Sequence, residues 1–436
     1  MRKTAWWLRI RNSYWFLPTV YSILSILAVG ITTVADLFFI EDFAKVIPSI
    51  FLTNRSVAMS LYTALITSIL TMTTISFSSI MVVLTTYSQQ FSPRTLQDFM
   101  SDRTTQHVLG VYVFGFIYTL CNLLLLTKDK ERLLASPFLT VVVAITTLGF
   151  FVVFIHHSTR WVQVNNLIGK IQHETYDVIG KTFSEKQYDV FQDWDQQELD
   201  QVQSGLDHVV HVQRSGYLQH IEFKAFIQWA KQHKATVWMH AQVGDYVEKG
   251  TPIFSYTAEQ EEADINETAG LNNMIVGKER TSLQDIEFSI QKLVEIALRA
   301  ISPGINDPHT AINCINRIGS LLSELGHKYK PFKYYTDEDE KLRIILMPKP
   351  YREYLYKSFY QIRLYGKHDV SVMNGVLEAL YKTALVNDGE IREDIWKFSV
   401  YIIDGIKDEG YHEIDLNVIR DIASELAELC QKEPVI

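Results

Sequence analysis

The chain has 436 residues, of which 47% are hydrophobic, and its 41 Lys+Arg against 50 Asp+Glu give a net charge of −9. This length accommodates about two or three domains. The charge is unevenly divided: residues 1–159 hold 11 basic and 7 acidic residues, whereas the rest holds 30 and 43. The acidic C-terminal part argues against nucleic acid as a partner, because phosphate binding requires a positive face.

The cysteines and the N-terminus indicate a reducing compartment and a retained membrane anchor. Cys121, Cys314 and Cys430 lie far apart, without metal-ligand spacing, so we expect free buried thiols. Basic residues and then an apolar run begin the chain, and no small-x-small cleavage site precedes the next polar stretch.

Four apolar stretches reach the ~20 residues that a membrane-spanning helix requires. They cover residues 15–37, 57–85, 108–127 and 138–156. Segments this apolar span a bilayer as helices. Basic residues modestly favour the side of the N-terminal tail and of the second loop. The sequence therefore predicts a multi-pass protein of the bacterial cytoplasmic (inner) membrane with both termini in the cytoplasm.

The second predicted span carries a row of hydroxyl side chains along one side. At 100° per residue, seven positions fall within an arc of about 80°: Ser60, Thr63, Thr67, Thr71, Thr74, Ser78 and Thr85. Two interpretations are open, close packing against other helices or an uncharged lining for a water-filled path. One chain offers a single such face, so a pore requires several copies around an axis.

Three acids follow near the outer end of the first span: Asp36, Glu41 and Asp42. Acids inside a membrane tend to be functional, whereas acids at the interface are more often simply solvated. If a pore exists, these acids would bias its outer mouth toward cations.

The loop after the second span is predicted to form a short interfacial helix. Ser92 followed by Pro93 is typical of a helix start, and Arg94 and Asp98 can pair four residues apart. We interpret Phe91, Pro93, Arg94 and Asp98 as a candidate gating loop. It is expected to contact the helical stalk or the corner at residues 302–309.

Four stretches carry a resemblance to a known family: QQFSPRTLQDFMSDRTTQHVLGVYVFGFIYTL (89–120), FIHHSTRWVQV (154–164), GYLQHIEFKAF…VGDYVEKGTPIF (216–254) and IALRAISPGINDPHTAI (296–312). The chain resembles a bacterial family of predicted inner-membrane proteins, domain of unknown function 2254, from the first span to about residue 430. The resemblance implies four spans followed by a cytoplasmic body. It implies no activity, so function has to be argued from the residues.

The predicted fold is a four-helix transmembrane domain (1–159) followed by a cytoplasmic α+β body. The body comprises a helical stalk (160–200, with one helix over 160–180), a small β domain (201–260) and a mainly helical domain (261–436) with a helical bundle. The β domain resembles a biotinyl/lipoyl-type sandwich or small barrel without a carrier lysine, so no cofactor is expected. Its histidines are interpreted as surface residues, with a zinc site as the alternative; they are His208, His211, His220 and His240.

The stretch SPGINDP separates two predicted helices, at 282–301 and 307–325. Pro303 and Gly304 end the first helix, and Asn306 or Asp307 caps the second ahead of Pro308. The stretch lacks the glycines and the Lys-Ser/Thr of a phosphate loop. We interpret it as a structural corner first and a ligand loop second.

Adjacent His156 and His157 close the fourth span, but side chains about 100° apart cannot chelate one ion together. We interpret them as interfacial anchors, with a pH-sensitive or metal-responsive ring between copies as the alternative. No nucleophile elbow, HExxH, P-loop or dinucleotide fingerprint is present, so no enzyme and no metal site are predicted.

The leading hypothesis is a homo-oligomer, with the lipid bilayer and itself as partners, that forms an ion or small-solute pathway along the hydroxyl stripe of the second span. The body would serve assembly and gating. The alternative is a membrane-anchored cytoplasmic sensor or scaffold without a pore. Thr71 and Thr74 buried against the other spans would favour that alternative.

Overall fold

Four long apolar helices begin the chain in the computed structural model, which describes residues 14–38, 40, 48–90, 102–126, 133–183, 189–258, 265–407 and 409–435. They are α1 (Phe16–Phe38), α2 (Arg55–Gln90), α3 (Arg103–Leu124) and α4 (Ser136–Val162). All four are long and apolar enough to cross a membrane. The four predicted spans are therefore confirmed, with ends that shift by a few residues.

Helix α3 is the central helix of this unit. Half of the residues in its most apolar stretch are buried, compared with 17–22% in the other three helices. It contacts all three of them. Gly110 lies against the ring of Tyr21 on α1, and a Cβ at Gly115 would lie 2.8 Å from the Thr147 hydroxyl on α4. These glycines let the helix axes approach closely, as small residues do in membrane proteins.

The chain divides into two compact units, residues 2–166 and 167–436. The helix predicted over residues 160–180 is interrupted at Gln163, whose φ of −76° and ψ of 114° are extended. A new helix, α5 (Val164–Phe183), begins directly after it. The break contains neither proline nor glycine, so no sequence signal marks it.

Two β-sheets make the second unit a mixed α/β body. The larger sheet has the order β1-β8-β9-β4-β6-β2, and the smaller has the order β5-β3-β7. The strands are β1 (Val190–Phe191), β2 (His208–His211), β3 (Gly216–Ile221), β4 (Ala235–Met239), β5 (Tyr246–Val247), β6 (Pro252–Ala258), β7 (Met274–Gly277), β8 (Tyr334–Thr336) and β9 (Leu342–Ile345).

The larger sheet extends well beyond the predicted β domain at 201–260. Strand β4 pairs in parallel with β9, which aligns Val237 with Ile344, while the other pairs are antiparallel. Short helices α6 (Gln196–Ser204), α7 (Phe223–Gln232) and α8 (Glu267–Leu271) accompany the sheets. Helix α7 buries Phe226 and Trp229 against Phe254 of β6.

Six further helices complete the second unit. They are α9 (Ile286–Ala300), α10 (Pro308–Lys328), α11 (Tyr351–Gly366), α12 (Val370–Val386), α13 (Gly389–Asp404) and α14 (Glu413–Leu429). The most extensive packing is between α10 and α12, where Gly319 lies directly on Ala379. Leu293 of α9 and Ile315 of α10 are fully buried in this unit.

Candidate functional site

The hydroxyl stripe of α2 lies on the outside of the four-helix unit. All seven predicted positions are exposed: Ser60, Thr63, Thr67, Thr71, Thr74, Ser78 and Thr85. The buried positions of the same helix are Ala58, Tyr62, Ile69, Ser76, Ile80 and Val83. They lie about 180° from the stripe at 100° per residue. The stripe is thus directed away from the chain's own helices.

Six of the seven hydroxyl groups of the stripe donate to carbonyl groups of their own helix. The distances to the carbonyl oxygen four residues earlier are 3.2 Å for Ser60, 2.9 Å for Thr63, 3.0 Å for Thr67, 2.8 Å for Thr71, 2.9 Å for Thr74 and 2.8 Å for Thr85. This bond engages the hydroxyl proton and leaves the oxygen lone pairs free. The stripe therefore presents hydrogen-bond acceptors to its surroundings.

Exposed apolar side chains flank the stripe on both sides. One row lies about 80–100° from Ser60 and the other lies about 40–60° from it on the opposite side. The first row is Met59, Leu70 and Phe77, and the second is Val57, Ile75 and Val82; their side chains are 46–63% exposed. The surface of the N-terminal half of α2, from Met59 to Thr71, is open to its surroundings. The exposed face of α2 therefore combines a polar stripe with apolar rows on both sides.

Asp36 is buried, with 6% of its surface exposed. Its carboxylate accepts the backbone amides of Ala135 at 2.9 Å and Ser136 at 3.3 Å, so it caps the start of α4. The Ser136 hydroxyl in turn bonds to that of Tyr62 at 2.8 Å. An acid at the membrane interface was expected to be solvated, whereas this carboxylate is buried and is held by the start of a helix. Glu41 and Asp42 lie outside the described residues.

The candidate gating loop also lies outside the described residues, and this applies to Phe91, Pro93, Arg94 and Asp98. The description resumes at Asp102, whose carboxylate accepts the amide of Thr104 at 2.9 Å and caps α3. Its Oδ1 also lies 3.2 Å from the His157 Nε2 on α4. His156 is exposed, and the two adjacent histidines therefore have different surroundings.

Backbone hydrogen bonds within residues 302–309 stabilise the corner. The amides of Ile305 and Asn306 donate to the Ser302 carbonyl at 3.0 and 2.9 Å. Asp307 caps α10, because it accepts the Thr310 amide at 3.1 Å and the Thr310 hydroxyl at 2.6 Å, and these bonds lower the pKa of Asp307. Asn306 is not the cap. It has a φ of +50°, in the left-handed region.

Pro303 and Gly304 are exposed at the tip of this corner, and a Cβ at Gly304 would meet nothing within 4 Å. The chain therefore has room there for a side chain, and no close contact requires this glycine. The geometry is that of a helix–turn–helix connection.

The histidines of the β strands occupy different places. The His208 ring stacks on Tyr256 at 4.8 Å, His220 approaches Glu222 at 3.5 Å, and the His240 ring bonds to the Ser255 hydroxyl at 2.7 Å. Among the described residues, no three His, Cys, Asp or Glu side chains are arranged to hold a metal ion. The strand positions therefore do not converge on a common centre.

A buried ion network was not predicted from the sequence. Arg280 contacts both oxygens of Asp285 at 2.8 and 2.9 Å and contacts Glu287 at 3.1 Å. Lys349 reaches Glu287 from the other side at 3.0 Å. The segment before β5 closes over the network, since a Cβ at Gly244 would lie 2.5 Å from Asp285 Oδ2. The sequence around the network shows only the motif GDYVEKG and the acids at the start of α9. Neither feature predicts that Arg280 and Lys349 pair with these acids.

Comparison with known proteins places these features in a family context. A family model described as predicted membrane protein (DUF2254) matches residues 11–382. Uncharacterized proteins from two Mycobacterium tuberculosis strains and from Mycobacterium bovis are 27% identical over 320 residues, which is 71% of this chain. The match spans 60% of the length of these relatives. No solved structure gave a significant match.

Proposed function

The chain belongs to the family of predicted membrane proteins DUF2254, and on that premise we propose that several copies assemble around an axis to form a pathway for ions or small solutes. In this assembly the hydroxyl stripe of α2 lines the pathway. The pathway crosses the bacterial cytoplasmic membrane, with both termini and the second unit in the cytoplasm. The second unit acts in assembly and gating.

The observation that supports this proposal is the position of the stripe. Its seven hydroxyl groups are exposed and lie opposite the buried face of the same helix. The apolar rows on either side, with Leu70 and Ile75 as examples, can pack against neighbouring copies while the stripe faces the axis. A helix with this pattern can present its hydroxyl groups to the axis of the assembly and its apolar side chains to the neighbouring helices.

The direction of the hydroxyl bonds favours cations over anions. An anion requires donors, but the protons of Thr67, Thr71 and Thr74 are engaged by the carbonyl groups of their own helix. The outward oxygen lone pairs can replace part of the hydration shell of a cation. No charge lies in the stripe, so such binding is weak enough to allow passage.

The alternative function is a membrane-anchored sensor or scaffold without a pore. It expects Thr71 and Thr74 to be buried against the other spans, where their hydroxyls would serve packing alone. Both side chains are exposed instead. We therefore prefer the pathway.

Recording from purified protein in planar bilayers tests the proposal. We expect discrete unitary currents, and in a KCl gradient a reversal potential on the cation side. Protein that inserts and remains assembled but carries no current would contradict the pathway. A reversal potential on the anion side would contradict the argument from the hydroxyl bonds.

A further inference from the structure

A small cavity lies inside the first unit, at the end where α3 stops and α4 begins. Its volume is about 30 Å³, which is enough for one occupant of the size of a water molecule. The polar part of its wall consists of Thr33 and Asp36 from α1, Asn122 from α3 and Ser136 from α4, and four leucines complete it. We call it the Asp36 cavity.

Asp36 brings a buried carboxylate to this cavity. In the described part of the chain, the carboxylate bonds to the backbone amides of Ala135 and Ser136 and to no Lys, Arg or His. Buried charges in proteins are normally paired with an opposite charge or coordinate a metal ion. The two amides are neutral groups, so they leave the charge of the carboxylate without a counter-ion.

The helix ends around the cavity do not remove this charge. The start of α4, at Ser136, contributes a dipole end equivalent to about +0.5 elementary charge. The chain just beyond the end of α3, at Leu125 and Leu126, also borders the cavity, and a helix C-terminus is equivalent to about −0.5. These two contributions roughly cancel. The cavity therefore retains about the one negative charge of Asp36, which a single monovalent cation balances.

Two neutral side chains offer oxygen atoms to such an ion. Asn122 is 5% exposed and donates from its amide nitrogen to the Tyr118 carbonyl at 2.8 Å, which leaves its amide oxygen as a ligand. The Thr32 hydroxyl donates to the Val29 carbonyl at 3.1 Å. The neighbouring Thr33 hydroxyl makes no hydrogen bond in the described part of the chain. Its oxygen is thus available at the wall of the cavity.

We propose that the Asp36 cavity binds one monovalent metal ion of the class of sodium, held by the Asp36 carboxylate, the Asn122 amide oxygen and the Thr33 hydroxyl. Carbonyl groups at helix C-terminal ends coordinate sodium in membrane transporters, and the end of α3 is placed to do the same. The absence of a cluster of three His, Cys, Asp or Glu side chains among the described residues is compatible with this site. A monovalent ion needs one carboxylate and neutral oxygen atoms rather than several acids. The bound ion joins α1, α3 and α4 and stabilises the first unit.

Thermal unfolding of the full chain in detergent tests this proposal. Sodium chloride is varied against N-methyl-D-glucamine chloride at constant ionic strength, because this organic cation is too large for the cavity. An ion that binds only the folded chain raises the melting temperature in proportion to the logarithm of its concentration once the site is filled. We expect a rise of several degrees for the wild type.

Two variants of α3 locate the ion. Asn122→Leu removes a ligand oxygen at nearly constant side-chain volume. Thr119→Val is the matched control, because Thr119 is buried on the same helix and donates to the Gly115 carbonyl at 2.7 Å but does not line the cavity. We expect Thr119→Val to keep the sodium-dependent rise and Asn122→Leu to lose it. Thr33→Val, at a partly exposed position, should also weaken the rise and serves if Asn122→Leu does not fold.

Equal melting temperatures of the wild type in sodium and in the organic cation would mean that the cavity holds only water, and this would overturn the proposal. A sodium-dependent rise that survives in Asn122→Leu but is lost in Thr71→Val would place the ion at the hydroxyl stripe and would also overturn it. The measurement requires no ion current, so its outcome is independent of the proposed pathway.

Discussion

The Thr71 hydroxyl donates to the Thr67 carbonyl oxygen at 2.8 Å, and both side chains lie on the exposed side of α2. Valine has the shape of threonine but no oxygen, so Thr71→Val removes the outward acceptor at nearly constant volume. We expect Thr67→Val and Thr71→Val each to lower the unitary current measured in planar bilayers. The melting temperature should stay within error of the wild type, since substitutions away from the core cost little.

Thr146 provides the matched control for these variants. It lies exposed on α4 and donates to the Val142 carbonyl at 2.9 Å, as the stripe residues do in α2. Thr146→Val should leave the current unchanged. Equal losses at positions 146 and 71 would mean that the effect belongs to any exposed threonine rather than to the stripe.

Asp36 is predicted to act in stability rather than in ion selectivity. Asp36→Ala leaves the amides of Ala135 and Ser136 without their acceptor, which costs about 1–3 kcal/mol of unfolding free energy. Asp36→Asn retains one acceptor oxygen and should cost less. Thermal unfolding in detergent gives the stabilities. A change in cation selectivity by Asp36→Asn at an unchanged melting temperature would restore the outer-mouth role.

Substitutions at the two polar residues of the corner, Asn306 and Asp307, are predicted to affect stability differently. Asn306 has a left-handed backbone, so Asn306→Gly should be neutral or slightly stabilising, whereas Asn306→Ala should cost about 1 kcal/mol. Asp307→Ala removes the cap of α10 and should also cost about 1 kcal/mol. Chemical denaturation gives these differences. Loss of current without loss of stability in these variants would make the corner a ligand site first.

The two glycines on either side of β5, Gly244 and Gly250, allow the contribution of the ion network to be measured separately from backbone strain. Gly244 and Gly250 have φ values of +96° and +88°, so alanine is strained at either position. Only at Gly244 would the new Cβ meet Asp285 and Arg280, whereas nothing lies within 4 Å at Gly250. We expect Gly244→Ala to lower the melting temperature clearly more than Gly250→Ala. Equal shifts in melting temperature would mean that backbone strain alone accounts for the loss of stability at both glycines.

Asp337 gives a pH-dependent prediction. Burial opposes its charged form, but Arg343, whose Nε lies 2.6 Å away, and the amides of Lys341 and Asp339 together hold its pKa below the ordinary value. The folded chain therefore binds fewer protons here than the unfolded chain. The resulting stability is present above the unfolded pKa of about 4 and is lost as the pH falls through the folded pKa.

Asp337→Asn should therefore lower the unfolding free energy by about 3 kcal/mol at pH 7, because it leaves the Arg343 guanidinium buried without its anion. The difference in unfolding free energy between this variant and the wild type should shrink as the pH falls below about 4. Denaturant unfolding at a series of pH values measures this difference. A difference that stays constant down to pH 3 would contradict the lowered pKa of Asp337.

Local patterns predicted the parts of the fold that depend on neighbours in sequence. Hydropathy indicated the four spans. The sequence Asp307-Pro308 indicated the start of α10, with the choice between Asn306 and Asp307 left open. These features depend on side chains within one or two turns of each other, and such interactions are visible in a single sequence.

The contacts that the sequence missed join distant residues. Asp36 reaches the amide of Ala135, Val237 pairs with Ile344, and Lys349 reaches Glu287. Each partner alone has an ordinary local interpretation, such as an interfacial acid or a surface lysine. The tertiary fold creates the pairing, and no short-range periodicity encodes it.

The most direct test of the proposed pathway is the reactivity of single cysteines along α2 with a membrane-impermeant thiol reagent. The chain is reconstituted in liposomes with Cys121→Ser and Cys430→Ser. Thr67→Cys, Thr71→Cys and Thr74→Cys report on the stripe; Leu70→Cys and Phe77→Cys, at side chains 52% and 49% exposed, report on the apolar row beside it. We predict modification at the three stripe positions and none at the other two. Five unreactive positions would mean that the stripe faces lipid or another helix, and this would contradict the pathway.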